Sequence, residues 1–183
     1  MQQLIELDGS ILLWIQQHLR TDIMTAIMKA VTMLADRGIF LIAVAVLLMA
    51  FKPTRKTGIA AMLGLIINLL IVNVWLKNMI DRTRPYYMVE GLNSLLPPQL
   101  DSSFPSGHTS HAFAMAAVIW STAEKKYGIA AIVLATMIAF SRLYLGVHYP
   151  SDVFAGVLIG ILSGFISVVI VKRWKMSNTI EEN

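Results

Sequence analysis

The chain has 183 residues, 56% hydrophobic and only 14% charged, with a mean hydropathy of +0.66. Soluble domains carry about 25% charged residues, so a water-soluble globule of ordinary composition is excluded. The net charge of +4 does not form a nucleic-acid face, because the lysines and arginines cap hydrophobic runs; the lack of cysteine excludes disulfides and thiolate metal sites.

Residues 3–36 alternate apolar and polar positions at helical spacing. Ile11, Leu12, Ile15 and Leu19 share one face, and Ile23, Ile27, Ala30, Val31 and Leu34 share another. Neither stretch is apolar enough to span, so residues 1–37 are predicted as amphipathic helices at the interface or against a bundle. Glu6 and Asp8 precede a short apolar patch with no small-residue cleavage site, which does not fit a signal peptide. The first span is expected to direct insertion itself.

Five apolar segments follow, at 38–51, 57–76, 109–123, 127–147 and 153–171. The first has fourteen residues and is expected to borrow from 33–37. Segment 57–76 runs twenty residues without a charge and 153–171 runs nineteen. Either suffices for a helix to cross a hydrocarbon core of about 30 Å. The expected fold is all-α: a polytopic membrane helical bundle of about five transmembrane helices plus the N-terminal interfacial helices. One domain covers 1–183, with the transmembrane core at 38–172 and a cytoplasmic tail at 173–183 whose polar end, 177–183, is expected to be disordered. Gly156, Gly160 and Gly164, one turn apart in the last segment, predict close approach of another helix. Asn68 and Asn73 in the second span are expected to bond neighbouring helices.

Cation counts set the orientation. Lys52, Arg55, Lys56, Lys125, Lys126, Lys172, Arg173 and Lys175 lie on one side, and Arg20, Lys29, Arg37, Lys77, Arg82, Arg84 and Arg142 on the other. Three of the latter, Lys77, Arg84 and Arg142, belong to spaced motifs, which leaves eight against four. The eight-cation side is expected to be cytoplasmic and the motif side extracytoplasmic. The connection at 81–105, with Tyr86, Tyr87, Pro97 and Pro98, has the length of a functional lid or mobile segment.

The motifs are Lys77-x6-Arg84-Pro85, Pro105-Ser106-Gly107-His108 and Ser141-Arg142-x5-His148-x3-Asp152. They put cations, imidazoles and a carboxylate at the ends of apolar segments, where charge is costly without a task. Three cations suit a phosphate, whose transfer is catalysed mainly by positioning and charge stabilisation. Ser106 stands where an N-cap belongs, and the Gly107 and His108 amides would open a helix as an anion site. Asp152 lies one turn after His148, a spacing that lets a carboxylate hold one ring nitrogen and leave the other exposed. With fixed cations available, no metal and no cofactor is expected.

Taken together and in this order, the motifs resemble the signature of the type 2 phosphatidic acid phosphatase family, which shares its site with bacterial acid phosphatases and vanadium haloperoxidases. The resemblance covers roughly residues 60–165; residues 1–37 match nothing specific. It implies that His148 attacks phosphorus to form phosphohistidine and that His108 protonates the leaving group and later activates water. It also implies that Lys77, Arg84, Ser106, Gly107, Ser141 and Arg142 hold the phosphate. The implied substrates are lipid phosphates in the bilayer, namely undecaprenyl pyrophosphate, phosphatidylglycerophosphate, phosphatidic acid or a lipid A phosphate. A lipid phosphotransferase uses identical residues, and a non-enzymatic phospholipid-binding or transport protein would need neither nucleophile nor acid. A haloperoxidase would be a longer, soluble chain.

Blander roles apply elsewhere. His18 reads as a packing residue, and His111, on the His108 face, as structural. Ser141 can bond a carbonyl of its own helix. Asp81 and Arg82 read as interfacial loop charges.

Overall fold

The computed structural model describes residues 2–181, with side chains described for 5–174. Helix α1 (Gln2–Leu19) buries Leu12 and Ile15 against Tyr144, Leu145, Val147 and Tyr149, the face that its periodicity marks. Thr21 then takes an extended backbone and accepts from the Met24 amide at 3.2 Å, capping α2 (Asp22–Met33). A short 3-10 turn, Asp36–Gly38, leads into α3 (Ile39–Ala50), with Arg37 and Gly38 at φ 49° and 71°. Glycine adopts that left-handed conformation at no steric cost. Taken through this kink, 22–50 is 29 residues long and apolar enough to cross a membrane. Lys29 and Asp36 interrupt the apolar run of this segment, and α2 and α3 meet at the kink.

Helix α4 (Arg55–Leu69) continues through wide π-helical turns at Leu70–Leu76 into α5 (Lys77–Ile80). The short α6 (Pro85–Met88) sits in the long connection. Then come α7 (Gly107–Thr122), α8 (Lys125–Tyr144) and α9 (Pro150–Glu181), and no strand occurs among the described residues. Alongside 22–50, segments 55–88, 125–144 and 150–174 are long and apolar enough to span. Helix α7 has only sixteen residues, but it is the central post, packed by α4, α8 and α9. Its small residues, Ser110, Ala112, Ala114, Ala116 and Ala117, are buried, so it meets protein where the outer helices meet lipid.

The glycine stripe on α9 explains the tight α7–α9 contact. A methyl at Gly156, Gly160 or Gly164 would come within 2.8, 2.3 or 2.6 Å of the Ser106, Ser110 or Ala114 carbonyl oxygen. Asn68 joins α4 to α7 by donating to Ser110 Oγ at 3.0 Å. Alternating helix directions bring the 81–106 connection, the α8–α9 turn and α1 to one end of the bundle. Arg20 fastens α1 there, donating to the carbonyls of Tyr144 at 3.1 Å and Asn93 at 2.8 Å. At the other extreme, α9 runs on to Glu181 through the polar stretch read as disordered; Glu182 and Asn183 lie outside the described residues.

Candidate active site

At that end, Lys77 closes the π-helical stretch, Arg84 sits just before Pro85, and His148 lies in the turn between α8 and α9. All three are buried although ionisable, at 9%, 3% and 1% exposure. Arg84 reaches into the interior: its Nη1 donates to the Val147 carbonyl at 2.8 Å and lies 3.4 Å from His148 Nε2. Its Nη2 donates to Asp101 Oδ1 at 2.6 Å, and Lys77 Nζ pairs with Asp101 Oδ2. Gly107 is close by, since a Cβ there would lie 4.0 Å from Lys77 Nζ.

Arg142 enters from α8. Its Nη1 donates to Thr32 Oγ1 at 2.6 Å, its Nε meets no acceptor, and it makes no ion pair among the described residues. Burial, followed by the charges of Arg142, Arg84 and Lys77, pushes the His148 imidazole well below its ordinary pKa, so the ring is neutral at physiological pH. The Asp101 carboxyl is lowered too, but against its burial. Burial would raise its pKa, but the hydrogen bond and charge of Lys77, with Arg84 behind them, hold it down at about 2.

The other imidazole edge, His148 Nδ1, lies 3.5 Å from Asp152 Oδ2, an ion-pair distance instead of a formed hydrogen bond. Asp152 is itself immobilised. Its Oδ2 accepts from Ser103 Oγ at 2.5 Å and the Tyr149 amide at 2.9 Å, and its Oδ1 from Arg82 Nη1 at 2.6 Å. Its backbone carbonyl accepts from the Ser106 amide at 3.1 Å, which ties the start of α7 to the first turn of α9. His108, second residue of α7, has its Nε2 3.9 Å from Asp36 Oδ1.

Two expectations change in detail. Ser106 occupies the N-cap position, but its hydroxyl accepts from Thr109 Oγ1 at 2.9 Å and makes no cap to the backbone. Arg82 is no interfacial loop charge: it binds Asp152, Ser151 and Asp8, with its guanidinium 3.9 Å above the Tyr149 ring. Ser141 donates to the Ile138 carbonyl of its own helix at 2.6 Å. His111 likewise bonds the Gly107 carbonyl one turn back, at 2.6 Å, and His18 stacks on Trp14. The carboxylates that organise the cations, Asp8 and Asp101, carry no spacing signal. The one hint in the sequence is an acid inside an amphipathic helix and another just ahead of the Pro-Ser-Gly-His motif.

The PAP2 superfamily model matches residues 57–176, which include all three motifs. The chain belongs to the PAP2 superfamily. An undecaprenyl-diphosphatase of Sulfolobus acidocaldarius is 37% identical over 129 residues, or 70% of this chain and 62% of that protein. The undecaprenyl-diphosphatase BcrC of Bacillus subtilis is 31% identical over 148 residues, 79% of this chain and 73% of its own length. Among solved structures, a transmembrane PAP2-type phosphatidylglycerolphosphate phosphatase of Bacillus subtilis superposes with a TM-score of 0.75 at 26% identity, covering 92% of this chain and 86% of that one. The multi-pass helical architecture is thus that of a PAP2 membrane protein, and Asp8, Thr32 and Asp36 reach its site from outside the matched segment.

Proposed function

We propose that this PAP2 protein is a lipid phosphate phosphatase that removes the terminal phosphate of a polyprenyl diphosphate, undecaprenyl pyrophosphate first, at the extracytoplasmic face. Phosphatidylglycerophosphate is the next substrate in order. Arg142 carries the reading: a guanidinium 2% exposed, with no carboxylate partner among the described residues and an Nε lacking an acceptor there, acting electrostatically on the neutral His148. A buried cation left without a counter-charge calls for an anionic ligand.

The mechanism follows from the two edges of the His148 ring. Nδ1 faces Asp152, so Nε2, beside Arg84, is the nucleophile. Lys77, Arg84 and Arg142 neutralise the phosphoryl oxygens, and the Gly107 and His108 amides at the start of α7 add donors. Nε2 attacks phosphorus as the bond to the leaving oxygen breaks, and His108 gives that oxygen a proton. Water then attacks the phosphohistidine, its proton passes to His108, and the P–N bond breaks. A diphosphate yields the lipid monophosphate and inorganic phosphate. These cations supply the charge neutralisation that a metal would otherwise bring.

An apolar groove of about 700 Å³ between α3, α7 and α8 supports a lipid substrate. Phe40, Val44, Met115 and Leu134 line it, as do Ala112 and Ile138, one turn along their helices from His108 and Arg142. A flexible hydrocarbon tail could lie there with its phosphate among the cations. The cation count supports the orientation, with all motifs at the end opposite the eight-cation loops.

The test is phosphate release in detergent from undecaprenyl pyrophosphate, phosphatidylglycerophosphate and phosphatidic acid. His148→Ala is expected to lower turnover at least about a thousandfold while lipid phosphate binding persists. An acid-labile, base-stable phosphoenzyme should be trapped from wild type and absent from the variant. Wild-type turnover in His148→Ala would overturn covalent catalysis at this residue. Because the chain has no cysteine, Asn93→Cys and Glu124→Cys read the orientation directly. An impermeant maleimide added outside intact cells should label the first and not the second.

A further inference from the structure

Helix α1 lies outside the segment that matches the PAP2 superfamily, yet it sends one carboxylate into the site. Asp8 is 3% exposed in a helix whose other buried residues, among those described, are Gly9, Leu12 and Ile15. Its Oδ2 accepts from Arg82 Nη2 at 3.0 Å and from the Ser151 hydroxyl, and its Oδ1 from the Ser151 amide at 3.1 Å. Asp8 therefore caps the first turn of α9 from another helix and anchors Arg82 at once. Arg82, laid over Tyr149, spends its other nitrogen on Asp152 Oδ1 and Ser151 Oγ. The carboxylate facing His148 Nδ1 is thus gripped on one side by a guanidinium that Asp8 orients.

We propose that Asp8 and Arg82 are positioning residues for the reaction, setting the Asp152 carboxylate against His148 from the N-terminal helix. A carboxylate orients an imidazole only as well as it is itself held, and freedom of an ångström in a supporting group is costly in rate. Asp152 keeps Ser103 and the Tyr149 amide on Oδ2 without Arg82, but loses the one partner that holds Oδ1 among the described residues. Among the described residues no hydrogen bond or ion pair joins Asp8 or Arg82 to Lys77, Arg84 or Arg142, so phosphate binding and positioning separate kinetically. The proposal rests on the phosphatase reading of the same site.

Wild type and His148→Ala are assayed first, with the polyprenyl diphosphate in detergent. If wild type releases no phosphate, or His148→Ala still does, the phosphatase reading fails independently of Asp8. With that reading standing, Asp8→Asn is expected to lower kcat about tenfold with KM changed less than about twofold, because the interaction serves the chemical step. Asp8→Glu and Arg82→Lys, which keep charge, should recover part of the loss. In an Asp152→Asn background the same Asp8→Asn change should cost less than about twofold, since coupled groups are not additive. Unchanged kcat in Asp8→Asn, or an equal fold loss in both backgrounds, would overturn the proposal. Should Asp8→Asn fail to fold, Arg82→Gln takes its place in the same cycle under the same criteria.

Discussion

Asp101 Oδ1 accepts from Arg84 Nη2 at 2.6 Å while its other oxygen pairs with Lys77, so a carboxylate of the chain itself bridges two of the three site cations. It lies in the connection ahead of α7 and is half exposed. With its pKa held at about 2, it stays ionised throughout the working range of the protein. A phosphate bound as proposed would have to compete with it.

Asp101→Asn is accordingly expected to tighten inhibition by orthophosphate and vanadate. Half-exposed ion pairs are worth up to about 1 kcal/mol each, which gives a Ki roughly three- to tenfold lower. Inhibition constants at fixed pH measure this, and an unchanged or higher Ki would show that Asp101 does not compete.

The His148 shift fixes the pH behaviour. Its pKa is lowered by burial and by three cations, so it remains a free base as pH falls through its ordinary value of 6.5. The acid limb of kcat/KM assigned to His148 should therefore lie below the usual histidine range, and His148→Ala should have no residual profile of that kind. Stability carries the same sign. The unfolded chain takes up a proton below about 6.5 and the folded site does not, so this contribution is complete above that pH and is lost as pH falls further. Thermal unfolding in detergent between pH 7.5 and 5 should show His148→Ala to be less acid-sensitive than wild type.

Gly107→Ala separates substrate binding from folding. The added methyl would meet Asn73 Oδ1 at 3.8 Å and Lys77 Nζ at 4.0 Å, both ordinary contacts. The protein should fold with its melting temperature nearly unchanged, but the methyl points at the ammonium proposed to hold phosphate, so KM should rise. A lost fold, or an unaltered KM, would contradict this placement.

Gly160→Ala should do the reverse. Its methyl would stand 2.3 Å from the Ser110 carbonyl oxygen, a backbone atom that cannot turn aside. Overpacking of this kind costs about 1–3 kcal/mol. The expected result is a lower melting temperature in detergent, with activity per folded molecule reduced less than stability.

Chelation gives a further check. Lys77, Arg84 and Arg142 provide fixed positive charge, so phosphate release should survive excess chelator. Loss of activity that magnesium restores would place the neutralising charge elsewhere. Arg142→Lys should still weaken turnover, because an ammonium cannot reproduce the planar fork of a guanidinium.

Much of the site is legible in the sequence. The segments 57–76 and 153–171 announce membrane helices by length and lack of charge, and Gly156, Gly160 and Gly164 mark the face that meets α7. Lys77, Arg84, His148 and Asp152 converge as their ordered motifs suggest. Arg82 was obscured because a cation at the end of an apolar segment looks the same whether it faces water or a buried carboxylate. The path of 22–50 was obscured because hydropathy registers Lys29 and Asp36 as an end, whereas the backbone turns through Arg37 and Gly38 and continues.

The sequence by itself determined the bilayer as solvent, the helical class, and which cations, imidazoles and carboxylate stand together at segment ends. These follow from length, composition and short-range spacing, all of which are local properties of the chain. Only the tertiary structure decided which carboxylate holds which cation. Arg82 meets Asp8 across 74 positions and Asp152 across 70, and Asp8 meets Ser151 across 143. Contacts at such separations have no period and leave no mark on composition. They depend on how α1 docks on the bundle end and how the 81–106 connection returns over it, and on the high cost of leaving any of these charges buried without a partner.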